Sequence, residues 1–278
     1  MSAKRETLAG LRRLLAGIDA LPAHETGLGD AAPARVTFGM PAMDAALGGG
    51  LPFGAVHEIF PAASGDGMAA EAFALAFARR AAGADRTILW VQHDWLAREY
   101  GMPHGAGLLE FGIDPRRVIL VRARDVLTAL RAGHEGLRCA ALGTVLIETW
   151  GEAKAFDLSA TQRLVRSAAA SRVSALCIRL GAEPAPSAAL ARWSVAAAPS
   201  QPLPVDVPGL RPPGLPAFIV ELSRHRAGFP LRRWHVEWDR DHHVFREPSL
   251  SRPVAALPAD RPAASAAPET VVPWRRAS

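Results

Sequence analysis

Apolar and polar residues alternate along this chain with two different periods. Leu8, Leu11, Leu15 and Ile18 recur at helical spacing between Glu6 and Ala20, which predicts a short amphipathic N-terminal helix with arginines on its outer face. Its apolar stripe needs a surface, either on its own domain or on a partner or neighbouring subunit. From Pro22 to Arg35 the composition turns to Pro, Gly, Ala and Asp, as in a linker. Short, β-branched, nearly continuous apolar runs then predict strands at Val56 to Phe60, Thr87 to Gln92, Val118 to Arg122, Thr144 to Glu148 and Ser174 to Leu180. Between them, Ala69 to Ala82, Trp95 to Phe111, Val126 to Arg131 and Ser159 to Ser171 carry helical patterns. Strands alternating with helices imply a parallel sheet covered on both faces and built from right-handed βαβ units.

The pattern changes after Gly181. Gly181 to Pro216 is rich in Pro and Ala, with one strand candidate at Trp193 to Ala198. Ala217 to Arg226, Arg232 to Asp239 and His243 to Arg246 then alternate apolar with polar residues, predicting antiparallel strands joined by turns at Ala227-Gly228 and Asp239-Arg240-Asp241. From Pro248 onward Pro, Ala and Ser dominate and predict a disordered tail. The expected organisation is a helix and linker over residues 1–32, a core over 33–247 and a tail over 248–278.

Composition adds limits rather than chemistry. With 278 residues and 49% hydrophobic content, the chain can bury one substantial core. Its 32 basic residues against 27 acidic ones give a net charge of +5, which permits contact with an anionic polymer without requiring it. Only Lys4 and Lys154 are lysines. Cys139 and Cys177 sit in apolar surroundings, as reduced core thiols do, so neither a disulfide framework nor a metal site is expected. Charged residues interrupt the N-terminal apolar pattern and no later run approaches a membrane span, so a cytoplasmic protein without membrane contact is expected.

A triphosphate is held after the first strand of such folds by loop amides, a lysine on the β and γ phosphates and a hydroxyl on magnesium. Here Ser64, Gly65, Asp66 and Gly67 stand in that loop. Asp66 replaces the lysine and Gly67 the hydroxyl residue. A carboxylate there repels a γ-phosphate. The loop is therefore read as vestigial, an ordinary strand-to-helix turn of small residues, and no cofactor is expected.

The run from Phe38 to Ile59, with Asp44, Gly48-Gly49-Gly50-Leu51-Pro52 and Gly54, resembles the lead-in to a RecA core. Later landmarks keep RecA order. Asp94, at the end of Trp90-Val91-Gln92-His93-Asp94, matches the water-activating glutamate with a shorter side chain. Glu148, in Val145-Leu146-Ile147-Glu148-Thr149, stands where the magnesium-associated aspartate belongs. Arg224 and Arg226 match a lysine-x-lysine segment that reaches a neighbouring subunit's nucleotide. At strand spacing both point to one face, and forked guanidiniums suit phosphate or DNA, although a solvated basic edge strand that blocks unwanted pairing explains them equally. The segments that resemble RecA's DNA-binding loops, Trp150 to Leu158 and Gly181 to Ser187, are short, and the first is not basic.

A RecA-like core with a corrupted phosphate loop, an Arg-Arg-Trp-His-Val-Glu-Trp-Asp strand and a Pro-rich tail is similar to the ImuA family, also described as SulA-like. The resemblance implies a RecA-like parallel sheet with an antiparallel C-terminal edge. It also implies an accessory role in damage-induced mutagenesis beside ImuB, a catalytically inactive relative of Y-family polymerases, and an error-prone C-family polymerase. The implied chain is not an enzyme and works at the nucleoid, with RecA and weak DNA contact as further candidate partners. Trp274, Arg275 and Arg276 interrupt an otherwise bland tail, as docking peptides do. Two other functions remain open: a DNA-stimulated ATPase with an unorthodox loop served by Asp94 and Glu148, and a regulator that binds RecA or a division protein. Asp239, Asp241, His242 and His243 contain metal-ligand types but sit at a hairpin turn, and no metal is expected. Trp234 and Trp238 share a strand face and are expected to pack in the core rather than stack bases.

Overall fold

The computed structural model describes residues 10, 11, 13–15, 35–202 and 212–248. Contacts group residues Met1–Pro248 as one compact unit and Ser249–Ser278 as another. The linker, the tail and the tail residues Trp274, Arg275 and Arg276 lie outside the described residues.

The lead-in forms β1 (Arg35–Val36), α1 (Pro41–Ala46) and β2 (Leu51–Pro52), with β1 and β2 paired antiparallel. Its Asp44 carboxylate accepts the N–H groups of Phe38 (2.7 Å) and Gly39 (3.0 Å), folding the run back on itself. Phe38, Met43, Leu47 and Leu51 enter the core. The main sheet follows with β3 (Val56–Pro61), β4 (Thr87–His93), β5 (Val118–Ala123), β6 (Leu142–Trp150), β7 (Ser174–Leu180), β8 (Ala191–Ala197), β9 (Ala217–His225), β10 (Arg232–Asp239) and β11 (Val244–Arg246).

The strand order is β5-β4-β6-β7-β3-β8-β9-β10-β11. The first six are parallel neighbours, and β9, β10 and β11 extend the sheet antiparallel. The protein therefore has the α/β fold that the alternating pattern implies, with the antiparallel edge at its C-terminal side. The segment read as a strand candidate within a Pro-rich stretch is β8, beside β3 in the middle of the sheet.

Helix α2 (Gly67–Ala82) covers one face, and its Phe73 and Phe77 are fully buried among Phe38, Trp193 and Phe245. Trp234 and Trp238 join that core, as their shared face predicts. Helices α5 (Val126–Gly136) and α6 (Leu158–Ser171) cover the opposite face, with Asp125 and Asp157 as N-caps that accept Thr128 and Ala160 N–H groups. Leu11 and Leu15 of the N-terminal helical residues are buried in this second cluster, and Cys139 Sγ donates to the Leu15 carbonyl. That part of the N-terminal stripe docks on its own domain.

One predicted element divides. The pattern from Trp95 to Phe111 predicts a single helix, and the structure has α3 (Asp94–Glu99) and α4 (Gly105–Glu110). Gly101 adopts a positive φ of 87° between them, and Pro103 brings no amide donor to continue the ladder.

Candidate functional site

In open α/β sheets ligands bind outside the carboxyl ends of the strands, where neighbouring strands lead their connections in opposite directions. Here that point is the end of β3, between β7 and β8, and the Ser64–Gly67 turn occupies it. Ala62 N–H bonds to the Val195 carbonyl of β8 (2.8 Å), and residues Ser64–Asp66 make a single 3-10 turn before α2 begins. Asp66 closes the turn. One carboxylate oxygen accepts Ala63 N–H (3.1 Å) and the other accepts Ala197 N–H from the end of β8 (2.9 Å). Gly65 keeps an ordinary negative φ with open space where a Cβ would stand, and a Cβ on Gly67 would meet only Leu180 at 3.8 Å. Neither glycine serves a close backbone approach. The carboxylate takes donors that an anion bound at this turn would use.

The two acids that match catalytic positions are held differently. Asp94 opens α3 and pairs with both Arg98 (2.9 Å) and Arg122, so its charge is already answered. Glu148 lies inside β6, 1% exposed, and accepts the Trp90 indole N–H at 3.0 Å. Its other neighbours are Gln92 and Glu71 of α2. Burial first, then repulsion from Glu148, raises the Glu71 carboxyl to about 8, and burial raises Glu148 to about 7 against the hydrogen bonds it accepts. The two carboxyls are neighbours and titrate as a pair. Glu71, Gln92, Tyr100 and His104 line a cavity of about 200 Å³ beside them. Sequence reasoning missed Glu71. Its signal was available, because it is the one acid in the otherwise apolar and basic run Gly67–Ala82, and a carboxyl on a buried helix stripe needs a partner.

A relative called Protein ImuA from Caulobacter vibrioides, strain NA1000 / CB15N, is 34% identical over 212 residues, which span 70% of this chain and 80% of the relative. The protein of that name from strain ATCC 19089 / CIP 103742 / CB 15 matches to the same extent. The chain belongs to the ImuA family. No family model matches it.

In this ImuA-family chain the arginine pair lies on one face, as strand spacing predicts, and that face is covered. Arg224 donates to the Ser187 carbonyl (3.0 Å) and hydroxyl (3.3 Å), and Arg226 donates to the Ala188 carbonyl (3.0 Å). Both guanidiniums thereby hold the crossover from β7 to β8. Ser187 leads inward to a network that sequence reasoning also missed. Glu58 of β3, 1% exposed, accepts Ser187 Oγ–H (2.7 Å) and the Arg192 guanidinium (2.8 Å), while Arg179 stands 3.9 Å from its other oxygen. Arg179 also lies 3.8 Å over the Phe156 ring, and burial holds its guanidinium below the usual range. The signal in the sequence is a charged residue within each of three neighbouring apolar strands, Glu58, Arg179 and Arg192.

An aromatic cluster stands at the same edge of the sheet. Trp95 of α3 stacks on Trp150 at the end of β6 with centroids 4.3 Å apart, and Tyr100 lies 6.3 Å from each. Among the described residues no group of three or more His, Cys, Asp or Glu is placed to hold a metal ion. Asp239 instead accepts the Asp241 and His242 N–H groups and ties the last hairpin turn. No helix among the described residues is long and apolar enough to cross a membrane.

Proposed function

We propose that this protein is a non-enzymatic adaptor of damage-induced mutagenic translesion synthesis, which works at the nucleoid and holds ImuB, and through it an error-prone C-family polymerase, at damaged DNA. Membership of the ImuA family supplies the process. The observation that carries the non-enzymatic part is Asp66, whose carboxylate sits where a phosphate-gripping lysine belongs and accepts the Ala63 and Ala197 amides. The acids nearby support it as well. Asp94 is paired with two arginines, and burial beside Glu71 raises the Glu148 carboxyl, which weakens its attraction for magnesium.

Two measurements test the reading. Calorimetric titration with ATP to about millimolar concentration, with and without DNA, should give no binding heat. Tagged protein recovered from DNA-damaged cells should carry ImuB and a C-family polymerase. Saturable ATP binding would return the ATPase reading, and tagged protein that recovers no polymerase-family protein would sink the adaptor.

A further inference from the structure

Helices α5 and α6 lie side by side and leave a groove between them. On α5, Leu127, Leu130, Arg131 and His134 fall at i, i+3, i+4 and i+7, one stripe of the helix. On α6, Ala160, Arg163 and Leu164 form the facing stripe, and Ala155 and Asp157 close one end. The cavity measures about 570 Å³, within the range of pockets that hold a ligand or several side chains. Its floor is apolar, with Leu130 and Leu164 buried, and Leu127 at the rim is 42% exposed.

Its walls carry Arg131 and Arg163 alongside Glu135 and Asp157, and both acids are already engaged, Asp157 as the cap that accepts Ala160 N–H at 2.7 Å. Arg131, Arg163 and nearby Arg166 are exposed and take part in none of the ion pairs among the described residues, whereas Glu135 already pairs with Arg138 at 3.5 Å. Burial holds His134 below its ordinary range, and Arg138, Arg163 and Arg166 add to that effect against Glu135. The cations therefore converge on one place.

We propose that the α5/α6 groove docks an acidic amphipathic peptide segment of a partner protein, with its apolar side chains on Leu127, Leu130 and Leu164 and its carboxylates on Arg131, Arg163 and Arg166. The exposed guanidiniums select the acids, and the apolar floor selects a peptide over a nucleic-acid backbone, which would set phosphates against leucines. The site rests on the adaptor reading and gives it a contact surface.

The test uses the full-length protein and a fluorescent peptide of about fifteen residues alternating glutamate-rich turns with leucines, read by anisotropy. Wild type should bind it, and raising salt from about 50 to about 300 mM should weaken binding several-fold. The Arg131→Glu/Arg163→Glu variant should lose at least tenfold in affinity while keeping its thermal midpoint, because both side chains are exposed. The same variant should gain affinity for the peptide with lysine in place of glutamate. That swap of specificity separates charge recognition from loss of fold.

Equal binding by wild type and variant, or displacement of the peptide by single-stranded DNA at lower concentration than by unlabelled peptide, would overturn the proposal. Binding that emerges only after Asp19→Asn, Glu25→Gln and Asp30→Asn would assign the groove to the chain's own 16–34 segment and also overturn it. A variant that still recovers the polymerase from damaged cells removes the groove and leaves the adaptor standing. Wild type that binds the peptide and recovers no polymerase removes the adaptor and leaves the groove.

Discussion

Two parts of this molecule carry charged chemistry, and they treat it in opposite ways. At the carboxyl edge of the sheet every charge discussed above is answered by another group of the same chain. Asp66 takes backbone amides, Asp94 takes two arginines, Glu148 titrates as a pair with Glu71, and Glu58 takes Arg192 and Ser187. In the α5/α6 groove Arg131 and Arg163 take part in none of the ion pairs among the described residues, and the groove's acids, Glu135 and Asp157, are held by Arg138 and the Ala160 amide. Buried charges need partners within the chain, whereas exposed cations are free to meet an external one. In this chain the charged groups at the sheet's carboxyl edge are tied to one another, and the unpaired arginines lie on the helical face.

The largest effect should come from opening the Glu58 network. Glu58→Ala leaves Arg179, 3% exposed, and Arg192 without their carboxylate, and removing one partner of a buried ion pair costs about 3–5 kcal/mol. Urea denaturation should show a loss of that order. A change under about 1 kcal/mol would mean that the network is not the closed structural unit described here.

A smaller and pH-dependent effect belongs to the carboxyl pair. The folded protein keeps a proton that the unfolded chain, with an ordinary value of 4.5, has released. Stability from this pair is therefore complete below about pH 4.5 and falls as pH rises through the folded values of about 7 and about 8. Glu71→Gln keeps a hydrogen-bonding side chain and removes one titration. Its thermal midpoint should fall less than that of wild type between about pH 5 and about pH 8.5, with a difference on the order of 1–3 kcal/mol at the alkaline end. Parallel pH curves would show that the two carboxyls do not titrate as a pair.

These networks also mark where the sequence stopped being legible. Strand and helix positions follow from period alone, because a buried parallel strand reads as a continuous apolar run and each such run is a strand of the sheet. The single helix from Trp95 to Phe111 failed for a local reason, since Gly101 and Pro103 outweighed the apolar spacing around them. Asp94 stands at the end of β4, Glu148 in β6 and Arg224 and Arg226 at the end of β9, and the family landmarks said nothing of what each touches. Arg224 and Arg226 share a face as their spacing required, yet residues 187 and 188, nearly forty positions away in sequence, cover it. The partner of Glu71 and the groove were invisible for the same reason. Both depend on which elements become neighbours, and periodicity within one element does not encode that.

The smallest expected effect sharpens the comparison most directly, because it turns a closed site into an open one. Asp66→Ala removes the acceptor of the Ala63 and Ala197 amides. The turn is partly exposed, so water takes over much of the lost bonding, and the cost should be only about 0.5–1.5 kcal/mol. The freed amides lie at the start of α2, where the helix dipole favours an anion. Added phosphate should therefore raise the thermal midpoint of the variant more than that of wild type. If phosphate shifts the two midpoints equally, Asp66 is not what closes this turn to anions, and the contrast between the answered and the open charges loses its main support.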